Sequence, residues 1–484
     1  MSWWVLKRKI HISWLIAIVC FSVFIGVFFA EYINNYFLSS VYVFIISTIL
    51  ISVTLWRKYI YLLPLLIIGG LFFGLWRGSI SQNELAQFRP YYGKVIVIRG
   101  TVKDDIDTST SNQIIIRLDG IIINKKTFSG VLWITSSPTD IKRGDKLVLR
   151  GTLLEGFGNF SGVMYRASVN QIIQPKPGDI ARIVRDWFSD SIKKSIPDPE
   201  ASLGIGYLVG QRRSLPTDLL LALQLAGLTH IIVASGYNLT ILVRLARRLF
   251  AKVSKYLSAL AAVIMIVSFI AMTGMSPSMS RAGLVSALSL AAWYYGRKFH
   301  PIILLCIAIC ITVLINPSYA WGDLGWQLSF TAFAGVMILA PLTQRYLFGD
   351  KKPGTIQQIL VETISAQVAT APIIIAAFGQ ISNVAIVANL LVLPLVPLAM
   401  LLTFVAGVGS LLVPSLSIFI GMPATWLLGY MVKVTEYLAG LPWVTSVVSL
   451  PWWGVVICYG LIVSLCLYMW RVTKYNLRDT NLVE

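Results

Sequence analysis

Long apolar runs occupy both ends of the chain, and a stretch of shorter period separates them. ISWLIAIVCFSVFIGVFFA (12–30), VYVFIISTILISVTLW (41–56) and YIYLLPLLIIGGLFFGLW (59–76) are each close to the roughly 20 residues that span a bilayer. From 79 to 176 the runs shorten and alternate, as in KVIVIRGTVK, NQIIIRLDG, SGVLWITSS, DKLVLRGTLLE and VMYRASVNQII. Val, Ile, Thr and aromatics punctuated by Gly, Asp, Asn and Pro predict several short strands. VIRGTV (97–102) and VLRGTL (148–153) read as two equivalent strands whose glycines permit a bend. A small OB-type barrel fits best, with an SH3-like barrel as the alternative.

After PKPG, the segment DIARIVRDWFSDSIKKSI sets Ile183, Val184, Trp187 and Ile192 on roughly one face. Arg182, Arg185, Asp186, Lys193 and Lys194 lie elsewhere. That predicts an amphipathic helix over 177–200, lying in the membrane interface or packed under the β domain. The remainder, 201–472, returns to long apolar runs at 257–274, 301–315, 324–339 and 361–378. A further run begins at Val384, and two more end at Trp470. The expected layout is N-terminal helices (1–78), a β domain (79–176), the amphipathic helix (177–200), a larger helical domain (201–472) and a basic tail (473–484).

Composition agrees with lipid as the main solvent. Only 13% of the 484 residues are charged and 56% are hydrophobic, against about 25% charged in soluble proteins; the mean hydropathy is +0.75. The reading is a polytopic α-helical membrane protein with an inserted small extracytoplasmic β-barrel (OB-like) domain. Lys7, Arg8 and Lys9 precede the first span and Arg57 and Lys58 join the second to the third, while Glu31 lies in the intervening link. The positive-inside rule then places the N-terminus in the cytoplasm and the β domain outside. RLARRLFAKVSKY (244–256), RKFH (297–300) and RVTKYNLR are basic and should face the cytoplasm. The opening MSWWVLKRK reads as part of a retained signal anchor. The net charge of +19 follows from that orientation or from a surface for a polyanion.

Cys20, Cys306, Cys310, Cys458 and Cys466 all lie in apolar runs and read as small hydrophobes. His11, His230 and His300 are in no metal-ligand spacing. No metal or cofactor is expected, and no G-x-x-x-x-G-K loop is present, so energy would come from a partner motor or a gradient.

Polar residues inside apolar sequence carry the candidate chemistry, because such groups face a bundle interior or a water-filled path. GLTHIIVASGYNLTILVRLARR (227–248) holds His230, Ser235, Gly236 and Asn238. TGMSPSMSRAG holds Ser276, Pro277 and Arg281, and its proline breaks the helical hydrogen bonding. Gln327 and Thr331 form a stripe with Ser329 close by, and Gln358, Glu362, Ser365 and Ala369 form another. Ala282, Ser286 and Ser289 read as helix–helix contact. Arg281 is the residue expected to offset phosphate charge, with an intramembrane pairing to Glu362 as the alternative.

Four blocks in this region resemble the ComEC/Rec2 family of competence proteins. They are GYLVGQRRSLPTDLLLALQLAGLTHIIVASGYNLTILV, preceded by Gly204 and with Gly210, Gly227, His230, Ser235 and Gly236; GMSPSMSRAGL, with Gly274, Ser276, Pro277, Arg281 and Ala282; NPSYAWGDLGWQLSFTAF, with Pro317, Gly325, Gln327, Leu328, Ser329 and Phe330; and PIIIAAFGQISNVAIVANLLVLPLVP, with Phe378, Ser382, Asn389, Leu390 and Pro394. The resemblance implies a cytoplasmic-membrane channel that takes up single-stranded DNA during natural transformation, and an OB fold for the β domain. It also implies a DNA receptor outside and a cytoplasmic motor or separate nuclease as partners. Asn238 stands where the family often has histidine. The H-x-H-x-D-H cluster of the family's metallo-β-lactamase-like domain is absent from the sequence, so strand degradation is expected of another polypeptide and the chain is not expected to be an enzyme. Two other readings compete: a transporter of another solute or polymer, and an intramembrane hydrolase built on Ser235 and His230, which lack a third orienting acid.

Overall fold

A computed structural model describes residues 10–33, 36–108, 113–176, 178–211, 215–232, 236–274, 277–296, 300–351 and 353–475. Eight helical stretches among them are long and apolar enough to cross a membrane, and Val41–Arg57 and Pro301–Ile315 are shorter apolar helices. Together they coincide with the apolar runs of the sequence. The chain divides into two compact units: residues 1–179 with 302–327, and residues 180–301 with 328–484.

The first unit begins with helices α1 (Ile12–Phe29), α2 (Val41–Arg57) and α3 (Leu63–Ala86). In lipid, apolar side chains gain little by hiding from their surroundings, so helices associate where small residues let backbones approach. α1 and α3 run parallel on such a seam. A β-carbon at Gly70 would meet Ser22, one at Gly74 would collide with Val23 O, and one at Gly78 would collide with Ala30. α3 continues beyond the expected boundary at 78 and carries the chain directly to the β domain.

That domain contains β1 (Val95–Val102), β2 (Asp107–Thr108), β3 (Ile114–Ile123), β4 (Lys126–Phe128), β5 (Leu132–Ser136), β6 (Lys146–Thr152), β7 (Leu154–Glu155), β8 (Gly162–Met164) and β9 (Ser168–Ile173). The pairing order is β7-β8-β5-β3-β1-β6-β9, with β2 and β4 against β3. No ladder joins β7 to β9 among the described residues, so the expected closed barrel is seen as a sheet with open pairing. Ile98, Ile116, Leu118, Leu132, Ile134 and Leu149 fill its core, every second residue facing inward. The two repeated segments pair with each other, antiparallel, Val97 opposite Arg150. Their glycines admit neighbours: the β1 pairing slips beside Gly100, and Gly151 lies against Met164 and Ala167.

The other unit contains α4 (Ile180–Lys193), α5 (Glu200–Val209), α6 (Thr217–Leu225), α7 (Thr229–Ile232), α8 (Gly236–Phe250), α9 (Lys255–Thr273) and α10 (Pro277–Tyr294). α11 (Pro301–Ile315), α12 (Tyr319–Gly322) and the start of α13 (Leu324–Ala334) fall in the first unit. After them come α14 (Ala340–Phe348), α15 (Thr355–Phe378), β10 (Gln380–Ser382), α16 (Ala385–Val392), α17 (Val396–Leu412), α18 (Ser417–Ala439), β11 (Thr445–Val447) and α19 (Trp452–Thr473). Its core gathers α5, α6 and α16 to α18 around Tyr207, Leu223, Val392, Met400 and Leu428.

The amphipathic helix α4 differs from expectation on one point. Ile183, Val184 and Trp187 are exposed together, but Ile192 is buried on the opposite side with Arg185 and Ser189. Phe188 and Ile192 rest on Gly407 of α17, where Ser191 Oγ also donates to Gly407 O at 3.3 Å. Arg185 Nη1 donates to Met272 O at 3.3 Å. The polar side of the helix is therefore the packed side.

Gly74→Val is expected to cost more than the about 1–3 kcal/mol of ordinary overpacking, because backbone opposes it. Gly460→Val, at an open position, serves as the comparison. Thermal unfolding of the detergent-solubilised chain reads both, and equal melting temperatures would count against the α1–α3 seam.

Candidate functional site

Within the second unit, the first, second and fourth blocks and the part of the third from Leu328 onward form a chain of direct contacts. The first block meets the fourth where Ser382 Oγ donates to Leu225 O at 2.7 Å. Gly227 follows with φ +73, and a β-carbon there would lie 2.6 Å from that of Ala385. Only glycine combines that backbone with that approach at no steric cost. The first block meets the second where Gly236 opens α8 against Ala282, 3.2 Å from the place its β-carbon would occupy. The second meets the third through Arg281, whose guanidinium carbon lies 5.2 Å from the Phe330 ring centroid. Arg281 is 3% exposed, and a desolvated cation over an aromatic face is held by the ring quadrupole.

Each candidate residue has a distinct setting. His230 is exposed on α7. Asn238 is 0% exposed and its Nδ2 donates to Tyr207 O at 3.0 Å, tying α8 to α5. Asn389 is buried on α16, with Nδ2 donating to Ala385 O at 2.8 Å. Ser329 is half-buried on α13. Glu362 is half-buried near the start of α15 and accepts from Gln358 Nε2 at 2.8 Å. Gln327, in the other unit, donates through Nε2 to Ala320 O and Trp321 O, each at 3.4 Å. Pro277 opens α10; Ser235 and Ser276 lie outside the described residues.

The α15 stripe divides into two parts. Gln358 and Glu362 bond to each other at one end, whereas Ser365 and Ala369 are buried against Gly335. The Tyr459 hydroxyl joins this packing, donating to Ala369 O at 3.0 Å and hydrogen-bonded to Thr331. The small residues of the stripe thus make helix contacts. Tyr207, Phe330 and Tyr459 organise these polar groups. Tyr207 and Tyr459 carry no signal of this in the sequence, because each sits in a mainly apolar run and its partner carbonyl belongs to, or its bonding side chain comes from, a distant segment.

The first unit carries a second candidate surface. Trp133 of β5 lies 5.7 Å from Phe157 and 5.6 Å from Tyr165, and Phe157 lies 5.3 Å from Phe160. Phe157 and Tyr165 are exposed. The loop bearing these phenylalanines is clamped to the turn after α12. Gly158 and Gly322 meet backbone to backbone, and Asn159 Nδ2 donates to Asp323 Oδ2 at 2.9 Å. On the same side, Arg77 of α3 caps the end of α11, donating to Leu314 O at 2.8 Å and Ile315 O at 3.0 Å. A guanidinium there satisfies carbonyls the helix leaves orphaned.

The family model described as competence protein matches residues 207–472, more than half of the chain. The chain belongs to the ComEC/Rec2 family of competence proteins. It is 25% identical over 214 residues to ComE operon protein 3 of Bacillus subtilis (strain 168), a match covering 43% of this chain and 27% of that protein. The chain therefore aligns with only about a quarter of that relative's length. No solved structure matches. The matched competence region contains all four contacting blocks, while the sheet domain precedes it.

Asn238→Leu would strand the Tyr207 carbonyl without this donor in the core. Leaving a buried acceptor unsatisfied costs about 1–3 kcal/mol. A lowered melting temperature is expected for Asn238→Leu, with Asn238→His retaining more stability, as read by thermal unfolding of the purified chain. Full stability in Asn238→Leu would count against the α5–α8 tie.

Proposed function

We propose that this protein conducts single-stranded DNA inward across the cytoplasmic membrane during natural transformation. The observation that carries the reading is the contact chain of competence blocks, which brings the exposed His230 and the buried Arg281 into one helical unit. A path lined by polar groups with one well-held cation offsets phosphate charge without trapping a polyanion. N-terminus inside and β domain outside is the orientation the basic loops favour.

The sheet domain is read as an OB-type barrel that receives the strand. β8 and β9 are successive parts of one extended segment; β8 pairs with β5 in parallel and β9 pairs with β6 antiparallel. Ala167, between them, donates its N–H to Thr135 O at 2.8 Å. On this reading residues 162–173 act as a fifth strand that links the two ends of the sheet. Trp133 then lies on the third strand and Phe157 and Phe160 on the loop before the fifth, where OB folds hold oligonucleotides. Aromatic faces stack bases without regard to sequence, and this loop is the one clamped to the turn after α12.

Two variants separate the steps. Trp133→Ala with Tyr165→Ala is expected to weaken single-stranded oligonucleotide binding by the full chain by roughly 1–3 kcal/mol per stacked base. Arg281→Gln is expected to leave that binding intact and to reduce uptake of labelled DNA by cells at equal protein level. Unchanged uptake in Arg281→Gln would sink the channel reading. Uptake intact with growth defects tied to a small solute would favour a transporter.

A further inference from the structure

From Leu219 to Gly322 the chain contains no Asp or Glu, yet α8 and its link to α9 concentrate Arg244, Arg247, Arg248, Lys252 and Lys255. Two of these cations, Arg247 and Lys255, lie beside two aromatic residues at the end of α10. The Arg247 guanidinium carbon lies 4.1 Å from the Trp293 ring centroid. Lys255 Nζ lies 5.6 Å from that of Trp293 and 5.4 Å from that of Tyr294. Ser258 Oγ donates to Arg247 O at 2.9 Å, fixing the backbone beneath. Arg247 Nε is buried and has no acceptor among the described residues. A guanidinium carries donors in a rigid fork suited to phosphate, and among the described residues the charged neighbours acting on Arg247 are Arg244 and Arg248, both cations.

The end of α8, the link and the start of α9 also present an apolar edge. Leu249 is 66% exposed, Val253 72% and Tyr256 66%. Exposed aliphatics interleaved with cations suit the boundary between acyl chains and headgroups, where apolar insertion and charge attraction act together. Nucleic acid is served by free aromatic faces; Trp293 and Tyr294 are engaged by cations, Tyr256 and Tyr295 are exposed, and the exposed aliphatic pair Leu249 and Val253 favours acyl chains over bases.

We propose that the α8 end, with the start of α9 and the end of α10, is a binding site for the phosphate of an anionic phospholipid headgroup. The aliphatic edge sits in the acyl region, and Arg247, held by Trp293, meets the phosphate together with Arg244 and Arg248. Each basic side chain near an anionic surface adds attraction that falls off within a Debye length.

The full chain in detergent is titrated with phosphatidylglycerol or phosphatidylcholine and read by native mass spectrometry. Phosphatidylglycerol adducts are expected to survive preferentially and to weaken by roughly tenfold in Arg247→Gln, as for loss of a hydrogen bond to a charged group. Arg244→Gln with Arg248→Gln, at exposed positions, carries the same expectation should Arg247→Gln fail to fold; Lys433→Gln should leave binding unchanged. Inorganic phosphate at the lipid's concentration should not displace the lipid. Equal retention of both lipids, adducts insensitive to both sets of variants, or displacement by phosphate alone would overturn the proposal. So would a single-stranded oligonucleotide that displaces the lipid and itself loses binding in Arg247→Gln.

Discussion

Close backbone approach at small residues is the constraint on which the rest of this protein depends. Between lipid-embedded helices there is no water to expel, so association comes from van der Waals contact and hydrogen bonds. The α1–α3 seam at Gly70, Gly74 and Gly78 and the Gly335 contact with Ser365 are of this kind, and at Gly407 the small residue instead admits the Phe188 ring. Where two backbones lie that close, polar side chains can reach carbonyls on a neighbouring helix. Asn238 bonding to Tyr207 O and Tyr459 bonding to Ala369 O are two instances. Packing and polar satisfaction are thus one problem with one solution.

That constraint also sorts the polar residues by role. Asn238 and Ser365 are buried and join neighbouring helices, whereas the buried Asn389 bonds within its own helix. His230 keeps accessible surface, and Arg281 stores its charge over Phe330 at the point where two motif blocks meet. The glycines at 227 and 236 make those meetings geometrically possible.

Much of the fold is legible in the sequence because the two periods differ so clearly. Apolar runs of membrane length at 12–30 or 452–473 have no other use in a chain so poor in charge, and the alternation in VIRGTV and VLRGTL marks strands. The pairing of those two segments with each other was not legible, since equal hydropathy patterns carry no register. Ile192 was misplaced for a related reason. α4 buries Arg185 and Ser189, and an amphipathic pattern shows two faces without saying which one packs. The site was legible as a set of residues but not as an arrangement. The Arg281–Phe330 stack and the Tyr207–Asn238 bond join distant segments through groups that no helical spacing connects.

The central claim is that the His230 segment lies on an aqueous route taken by DNA. The direct measurement is thiol accessibility at that position in the full chain, using His230→Cys in membrane vesicles with the parent protein as background. The account requires modification by a membrane-impermeant thiol reagent above that background, and protection when single-stranded DNA is added. A thiol that stays unmodified, or one modified equally with and without DNA, would contradict it.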